Sequence, residues 1–116
     1  MKDSERAIQK RWGSALKQGF LVLPVSLLRQ QHRLGIDGTE LVVLLNLLAN
    51  WHKDDEPVWV AYSSFAKNMG TSDRTAQRAI ASLEKKGLVN VVRKPEGRVA
   101  SFDGLLHRLE ELELKI

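Results

Sequence analysis

Cysteine is absent from the 116 residues of the chain. This absence excludes disulfide bonds, thiolate zinc sites and a cysteine nucleophile, and it fits a reducing compartment. Long apolar runs are also missing, since the most apolar stretches, residues 20–28 and 41–51, are well short of the ~20 residues that span a bilayer. Residues 1–19 alternate charged and bulky side chains and lack the apolar core of a signal peptide. We therefore expect a cytoplasmic protein with no membrane partner.

Residue sets that carry catalysis or hold metals are equally scarce. His32, His52 and His107 stand singly, and no second histidine lies at the spacing of metal ligands from any of them. The acidic residues 54–56 are expected to lie solvated in a loop. No nucleophile and base, and no pair of carboxylates, occur at a recognisable spacing. We expect no metal, no cofactor and no catalytic activity.

Charge is distributed along the chain in blocks. The net charge of +4 arises from +5 in residues 1–33, −4 in 34–66, +5 in 67–98 and −2 in 99–116. Hydrophobic residues make up 43% and charged residues 28%, which is typical of a globular protein with a single core at this length. The two basic blocks favour a polyanionic partner, nucleic acid first.

The first basic block predicts two helices. Residues 4–18 are expected to form a basic amphipathic helix with an apolar stripe of Ile8, Trp12 and Leu16. Pro24 suits the first turn of a second helix that continues to Arg33. We assign residues 1–38 to an N-terminal helical extension. Its first helix is better suited to solvent exposure or dimer packing than to direct DNA contact, and it is also a candidate surface for a protein partner.

Residues 39–103 predict a defined order of helices and strands. The order is a helix over 39–52 capped by Thr39, a strand over 58–60, helices over 63–69 and 72–86, and a hairpin with strands 88–93 and 98–102. Trp12, Trp51 and Trp59 are expected in the core. The fold class is therefore mainly α with a small β-hairpin (α+β), with added N- and C-terminal helices.

Two stretches within this order carry a recognisable motif. They are Ser64-Phe65-Ala66-Lys67-Asn68-Met69-Gly70-Thr71-Ser72-Asp73-Arg74-Thr75-Ala76-Gln77-Arg78-Ala79-Ile80 and Leu83-Glu84-Lys85-Lys86-Gly87-Leu88-Val89. Together they resemble the winged helix-turn-helix DNA-binding domain of bacterial transcription regulators and of phage and plasmid replication initiators. The resemblance covers residues 39–102. It implies that the second motif helix enters the DNA major groove and that the hairpin, or wing, lies along the DNA backbone.

The motif also has physical reasons that do not depend on the family. Ala66 allows close approach of two helices, Gly70 permits a left-handed turn, and Ser72 can cap the second helix. The candidate base-contacting residues lie at the start of that helix and have donors suited to guanine and adenine edges: Ser72, Arg74, Thr75, Gln77 and Arg78. The candidate backbone and wing contacts are Ser63, Ser64, Lys67, Lys85, Arg93, Lys94 and Arg98. An ordinary solvated surface is the alternative for both sets.

The C-terminal residues 104–116 predict one further helix. Its apolar residues step by four, three and four, which is typical of a heptad seam formed by Leu105, Leu109, Leu112 and Ile116. We expect this seam to mediate a homodimer. The alternative is that the seam and the N-terminal apolar stripe pack together in one monomer.

These patterns favour one function over two others. The leading hypothesis is sequence-specific binding of double-stranded DNA by a bacterial, phage or plasmid transcription regulator. The alternatives are a DNA-binding domain for replication initiation or plasmid maintenance, and a winged helix that serves as a protein-interaction module.

Overall fold

The computed structural model describes residues 2–114 of the chain, the side chain of Lys2 excepted. Seven α-helices and three strands occur in this range, in the order α1 Lys2–Trp12, α2 Val25–Arg29, α3 Gln31–Leu34, α4 Gly38–Ala49, β1 Val58–Trp59, α5 Tyr62–Met69, α6 Asp73–Lys85, β2 Asn90–Lys94, β3 Gly97–Ser101 and α7 Asp103–Leu114. A 3₁₀ turn over Gly13–Leu16 follows α1. The predicted class, mainly helical with a small antiparallel sheet, is confirmed.

The central helix α4 begins two residues earlier than a cap at Thr39 would allow. Asp37 is its N-cap: the Asp37 carboxylate accepts a hydrogen bond from the Glu40 N–H at 2.8 Å, and the Glu40 carboxylate accepts one from the Asp37 N–H at 3.0 Å. The prediction of Thr39 as the cap is therefore wrong. This reciprocal capping box satisfies two backbone donors at once and is favoured over a single hydroxyl.

Helices α5 and α6 form the helix-turn-helix as expected. Phe65 and Ala66 are buried at the crossing, and Gly70 ends α5 with φ 67°, the left-handed conformation that glycine adopts at little cost. The Ser72 hydroxyl accepts a hydrogen bond from the Thr75 N–H at 3.2 Å, so Ser72 caps α6. The amphipathic pattern of α6 then buries Ala76, Ala79, Ile80 and Leu83.

The three strands form one antiparallel sheet in the order β1-β3-β2. In the hairpin Arg93 pairs with Arg98 across the two strands, and β1 pairs with β3 through Val58 and Ala100. The predicted short strand therefore serves as the third strand of the wing sheet.

The C-terminal helix packs inside the fold. Leu105, Leu109 and Leu112 are 2%, 6% and 3% exposed, and α7 contacts both α2 and α3. The expectation that these leucines form a seam left uncovered by their own domain is wrong, because the second half of the N-terminal extension covers them. Ile116 lies outside the described residues.

Glycine at position 104 permits the close approach of α7 to the α6–β2 connection. A Cβ built on Gly104 would overlap the carbonyl oxygen of Gly87. The Leu105 N–H donates to the Leu88 carbonyl at 3.1 Å beside this contact. Residue 104 has no room for a larger side chain.

The N-terminal extension departs from two expectations. The first helix ends at Trp12 because Gly13 takes φ 54°, and a 3₁₀ turn replaces the rest of the predicted helix. Trp12 and Trp59 are 58% and 41% exposed, so neither is a core residue. Trp51 is half-buried and stacks on Phe102, with ring centroids 5.2 Å apart. No helix within residues 2–114 is both long and apolar enough to cross a membrane.

Candidate nucleic-acid interface

Helix α6 presents its polar side away from the core. Arg74 and Arg78 are exposed and four residues apart, and Lys85 lies seven residues further on, so the three cations share one side of the helix. Gln77 is also exposed, and it turns toward the wing. The predicted recognition residues Arg74, Gln77 and Arg78 are thus accessible together.

Ser72 and Thr75 differ from these three. The two hydroxyl oxygens lie 3.0 Å apart, the Ser72 oxygen caps the helix, and Thr75 is half-buried. Both side chains are engaged in starting α6. Their hydroxyls are therefore less available to bases than the arginines and Gln77.

The wing carries a like-charged pair. Arg93 and Arg98 are direct cross-strand partners, and directly opposed residues project from the same face of a sheet. Two positive charges at this spacing repel each other unless an anion lies between or above them. Lys94 pairs with Gly97 and therefore projects from the opposite face, so the three predicted wing cations are split between two faces.

An open cleft of about 380 Å³ separates the arginine face of the wing from α6. It is lined by Tyr62, Gln77, Glu84, Val91, Arg93 and Arg98. The Arg98 guanidinium lies 5.4 Å from the centre of the Tyr62 ring, a cation–π distance that orients it toward the cleft. Sequence reasoning missed Tyr62, since it precedes the motif and its partner Arg98 lies far along the chain.

The predicted DNA-contacting cations of the helix-turn-helix and the wing form no ion pairs within the described residues. Within the described part of the chain no carboxylate oxygen lies within 4.0 Å of the charged nitrogens of Arg74, Arg78, Arg93 or Arg98. The same holds for Lys67 on α5, which is exposed, as is Ser64. These cations are therefore available to an external anion, although the Glu84 carboxylate on α6 also lines the cleft.

The Ser63 hydroxyl has an internal partner. It donates a hydrogen bond to Asp73 Oδ2 at 2.7 Å and so joins the first turns of α5 and α6. Ser63 is exposed, as predicted for a backbone contact, but its proton is directed at a carboxylate.

A partly buried ion pair holds the C-terminal end of α6 on α4. Lys86 Nζ lies 2.7 Å from both Glu40 carboxylate oxygens and 2.7 Å from the Gly35 carbonyl oxygen, and the Ser82 hydroxyl donates to Glu40 at 2.7 Å. Burial by itself raises the pKa of Glu40, but the hydrogen bonds from Lys86, Ser82 and the Asp37 N–H, with the charge of Lys86, outweigh it and leave the pKa below its ordinary value of 4.5. This pair could not be predicted from the sequence, because Glu40 and Lys86 lie 46 residues apart.

Among residues 2–114 no three histidine, aspartate or glutamate side chains come together in a metal-binding cluster. The side chains at the site carry guanidinium, ammonium, amide and hydroxyl groups, together with the carboxylates of Asp73 and Glu84.

This architecture defines the chain as a winged helix-turn-helix protein. Residues 34–89 match a family model described as a helix-turn-helix domain. Comparison with solved structures finds the N-terminal domain of the DnaD protein from Geobacillus kaustophilus HTA426, with TM-score 0.68 and 22% sequence identity, covering 91% of this chain and 90% of that chain. Comparison with curated proteins gives no match. Because the likeness covers more than residues 39–103, the shared fold includes much of the terminal helices.

Proposed function

We propose that the chain is a sequence-specific double-stranded DNA-binding protein that acts in the cytoplasm without catalytic activity. The observation that carries this proposal is the presence of cations without a carboxylate within 4.0 Å on two elements of the helix-turn-helix and wing, Arg74 and Arg78 on α6 and the Arg93–Arg98 pair on the hairpin. A DNA duplex presents base edges in its major groove, where a helix can contact them, and phosphates along its backbone, where a hairpin can contact them.

In this proposal α6 enters the major groove and its exposed first turns contact bases. Arg74 and Arg78 each supply two parallel donors for guanine O6 and N7, and Gln77 supplies the donor and acceptor that match adenine. Ser64, Lys67 and Lys85 are exposed on α5 and α6, and in this proposal they contact the phosphates that flank the groove.

The wing arginines then hold a phosphate group. A phosphate in the cleft relieves the repulsion between Arg93 and Arg98, and bidentate contact with guanidinium groups suits its geometry. Tyr62 orients Arg98 for this contact. Lys94, on the outer face, contributes only long-range attraction.

The cellular process is proposed from the structural comparison. DnaD is a replication-initiation protein, so the likeness to its N-terminal domain favours a replication-initiation role over the transcription regulator that the sequence motif first suggests. Immunoprecipitation of the protein with its cross-linked DNA from cells, followed by sequencing of that DNA, distinguishes the two roles. Enrichment at replication origins supports initiation, and enrichment at promoters supports regulation.

A second copy of the chain is the proposed protein partner. With the α7 leucines buried, the remaining candidate surface is the N-terminal extension, where Trp12, Phe20, Val22 and Val25 are all at least 56% exposed. Large apolar side chains clustered on one exposed segment are typical of an interaction surface. A heterologous protein partner at the same extension is the alternative.

Binding to a pool of random duplexes, measured by fluorescence anisotropy at several salt concentrations, tests the DNA-binding proposal. An Arg93→Ala, Arg98→Ala double variant should weaken binding to all duplexes alike and reduce the salt slope by about one unit per lost phosphate contact. Lys53→Ala, which removes an exposed cation near Glu56 outside the cleft, is the matched control and should leave both quantities unchanged. Failure of the wild type to bind any duplex at physiological salt would reject the proposal.

A further inference from the structure

An unneutralised carboxylate lies among the cations of the recognition surface. Asp73 is exposed in the first turn of α6, directly before Arg74. Within the described residues no charged nitrogen lies within 4.0 Å of it, and its hydrogen bond from Ser63 engages only Oδ2. The second oxygen, Oδ1, is left as a free acceptor at the end of the helix that would enter the groove.

A carboxylate at this position can contact only a few of the chemical groups that DNA presents. Beside a phosphate it is repelled, and this repulsion opposes the attraction that the neighbouring arginines supply. Among the base edges of the major groove, guanine offers two acceptors and thymine one, so both also repel it. Adenine presents an amino donor beside its N7 acceptor, whereas cytosine presents the N4 amino donor and no acceptor.

We propose that Asp73 is a specificity-determining residue that accepts a hydrogen bond from the N4 amino group of one cytosine in the target duplex. The inference rests on the proposed function and extends it to a base that the arginines and Gln77 do not select. The Ser63 hydroxyl positions the carboxylate, because its 2.7 Å hydrogen bond ties the side chain to the first turn of α5. The N-terminal residues of a recognition helix are those that contact base edges.

An acidic residue in the first turn also stabilises a helix through its dipole, and that effect has no base preference. The experiment therefore compares preferred sequences, which helix stability does not alter. The full-length protein is used to select duplexes from a randomised pool, and the selection is repeated with Asp73→Asn and Ser63→Ala. Asp103→Asn is the matched control, since Asp103 occupies the same first-turn position in α7.

For the wild type, one position of the selected site should require cytosine, and replacing that cytosine by thymine should weaken binding about tenfold. Asp73→Asn should move the preference at that position toward adenine, whose edge matches an amide. Ser63→Ala should weaken the cytosine preference without replacing it by another base. Asp103→Asn should leave the selected sequence unchanged.

Two negative outcomes are distinguishable. If the wild type selects a sequence and Asp73→Asn selects the same one, or loses affinity equally for all duplexes, Asp73 has no role in specificity and the proposed function stands. If the wild type selects no sequence at all, the proposed function fails and this inference fails with it. Melting curves for both variants confirm that the fold is intact in each comparison.

Discussion

Lys86→Met should destabilise the fold substantially although it removes a residue that is partly solvent-exposed. Lys86 donates to both oxygens of Glu40, a residue that is only 5% exposed. Without Lys86 the carboxylate keeps the Ser82 hydroxyl and the Asp37 N–H but loses its counter-charge. Breaking a fully buried pair costs about 3–5 kcal/mol. Because a third of the Lys86 side chain contacts water, we expect about 2–4 kcal/mol.

The pH dependence of this loss is a sharper test than its size. In the wild type the lowered pKa of Glu40 means that its contribution to stability is fully present above about pH 4.5 and is lost as the pH falls through the folded-state pKa. In Lys86→Met burial dominates and raises the pKa of Glu40, so protonation relieves the buried charge and stability recovers as the pH falls. The difference in unfolding free energy between the two proteins should therefore shrink from pH 7 to pH 3.

Urea denaturation followed by circular dichroism at several pH values measures this difference. Lys85→Met is the matched control, since Lys85 is the neighbouring exposed lysine, and it should stay within about 0.5 kcal/mol of the wild type. A Lys86→Met cost below that figure at pH 7, or a cost that is the same at pH 3, would refute the reasoning. A double-mutant cycle with Glu40→Gln isolates the coupling between the two side chains.

Four further predictions concern the packing and the exposed surface. Gly104→Ala should destabilise the fold by about 1–3 kcal/mol in a melting experiment, because the added methyl overlaps a backbone carbonyl; an unchanged melting temperature would contradict the close contact. Arg74→Ala and Arg78→Ala should each cost about 1–3 kcal/mol on the best duplex and much less on random DNA, with folding intact, and equal losses on both duplexes would make them phosphate contacts. Ile80→Ala should instead destabilise the fold by about 2–5 kcal/mol, since Ile80 is fully buried. Light scattering at micromolar concentration should detect a dimer that Trp12→Ala weakens, and a 13.1 kDa species alone would reject the dimer.

The pattern of neighbouring residues was sufficient to predict the helix-turn-helix and the wing. The Gly70 turn, the Ser72 cap and the period of Ala76, Ile80 and Leu83 are properties of neighbouring residues, and the structure has them where the sequence predicted them. The exposed positions of Arg74, Gln77 and Arg78 follow from the same period. Thr39 is not the cap because a reciprocal capping box of Asp37 and Glu40 was available two residues earlier.

Tertiary structure decided everything that depends on residues distant in sequence. The sequence marks the α7 leucines as an apolar stripe, but an apolar stripe has the same period whether it packs on its own chain or on another. Only the fold shows that α2 and α3 cover it and leave Trp12 exposed. The same is true of the charges on the wing. In the sequence Arg93, Lys94 and Arg98 are equivalent cations, whereas the strand register places the two arginines on the face of the sheet that lines the cleft and Lys94 on the opposite face. Pairing across strands and helices is not encoded in the spacing of either partner alone.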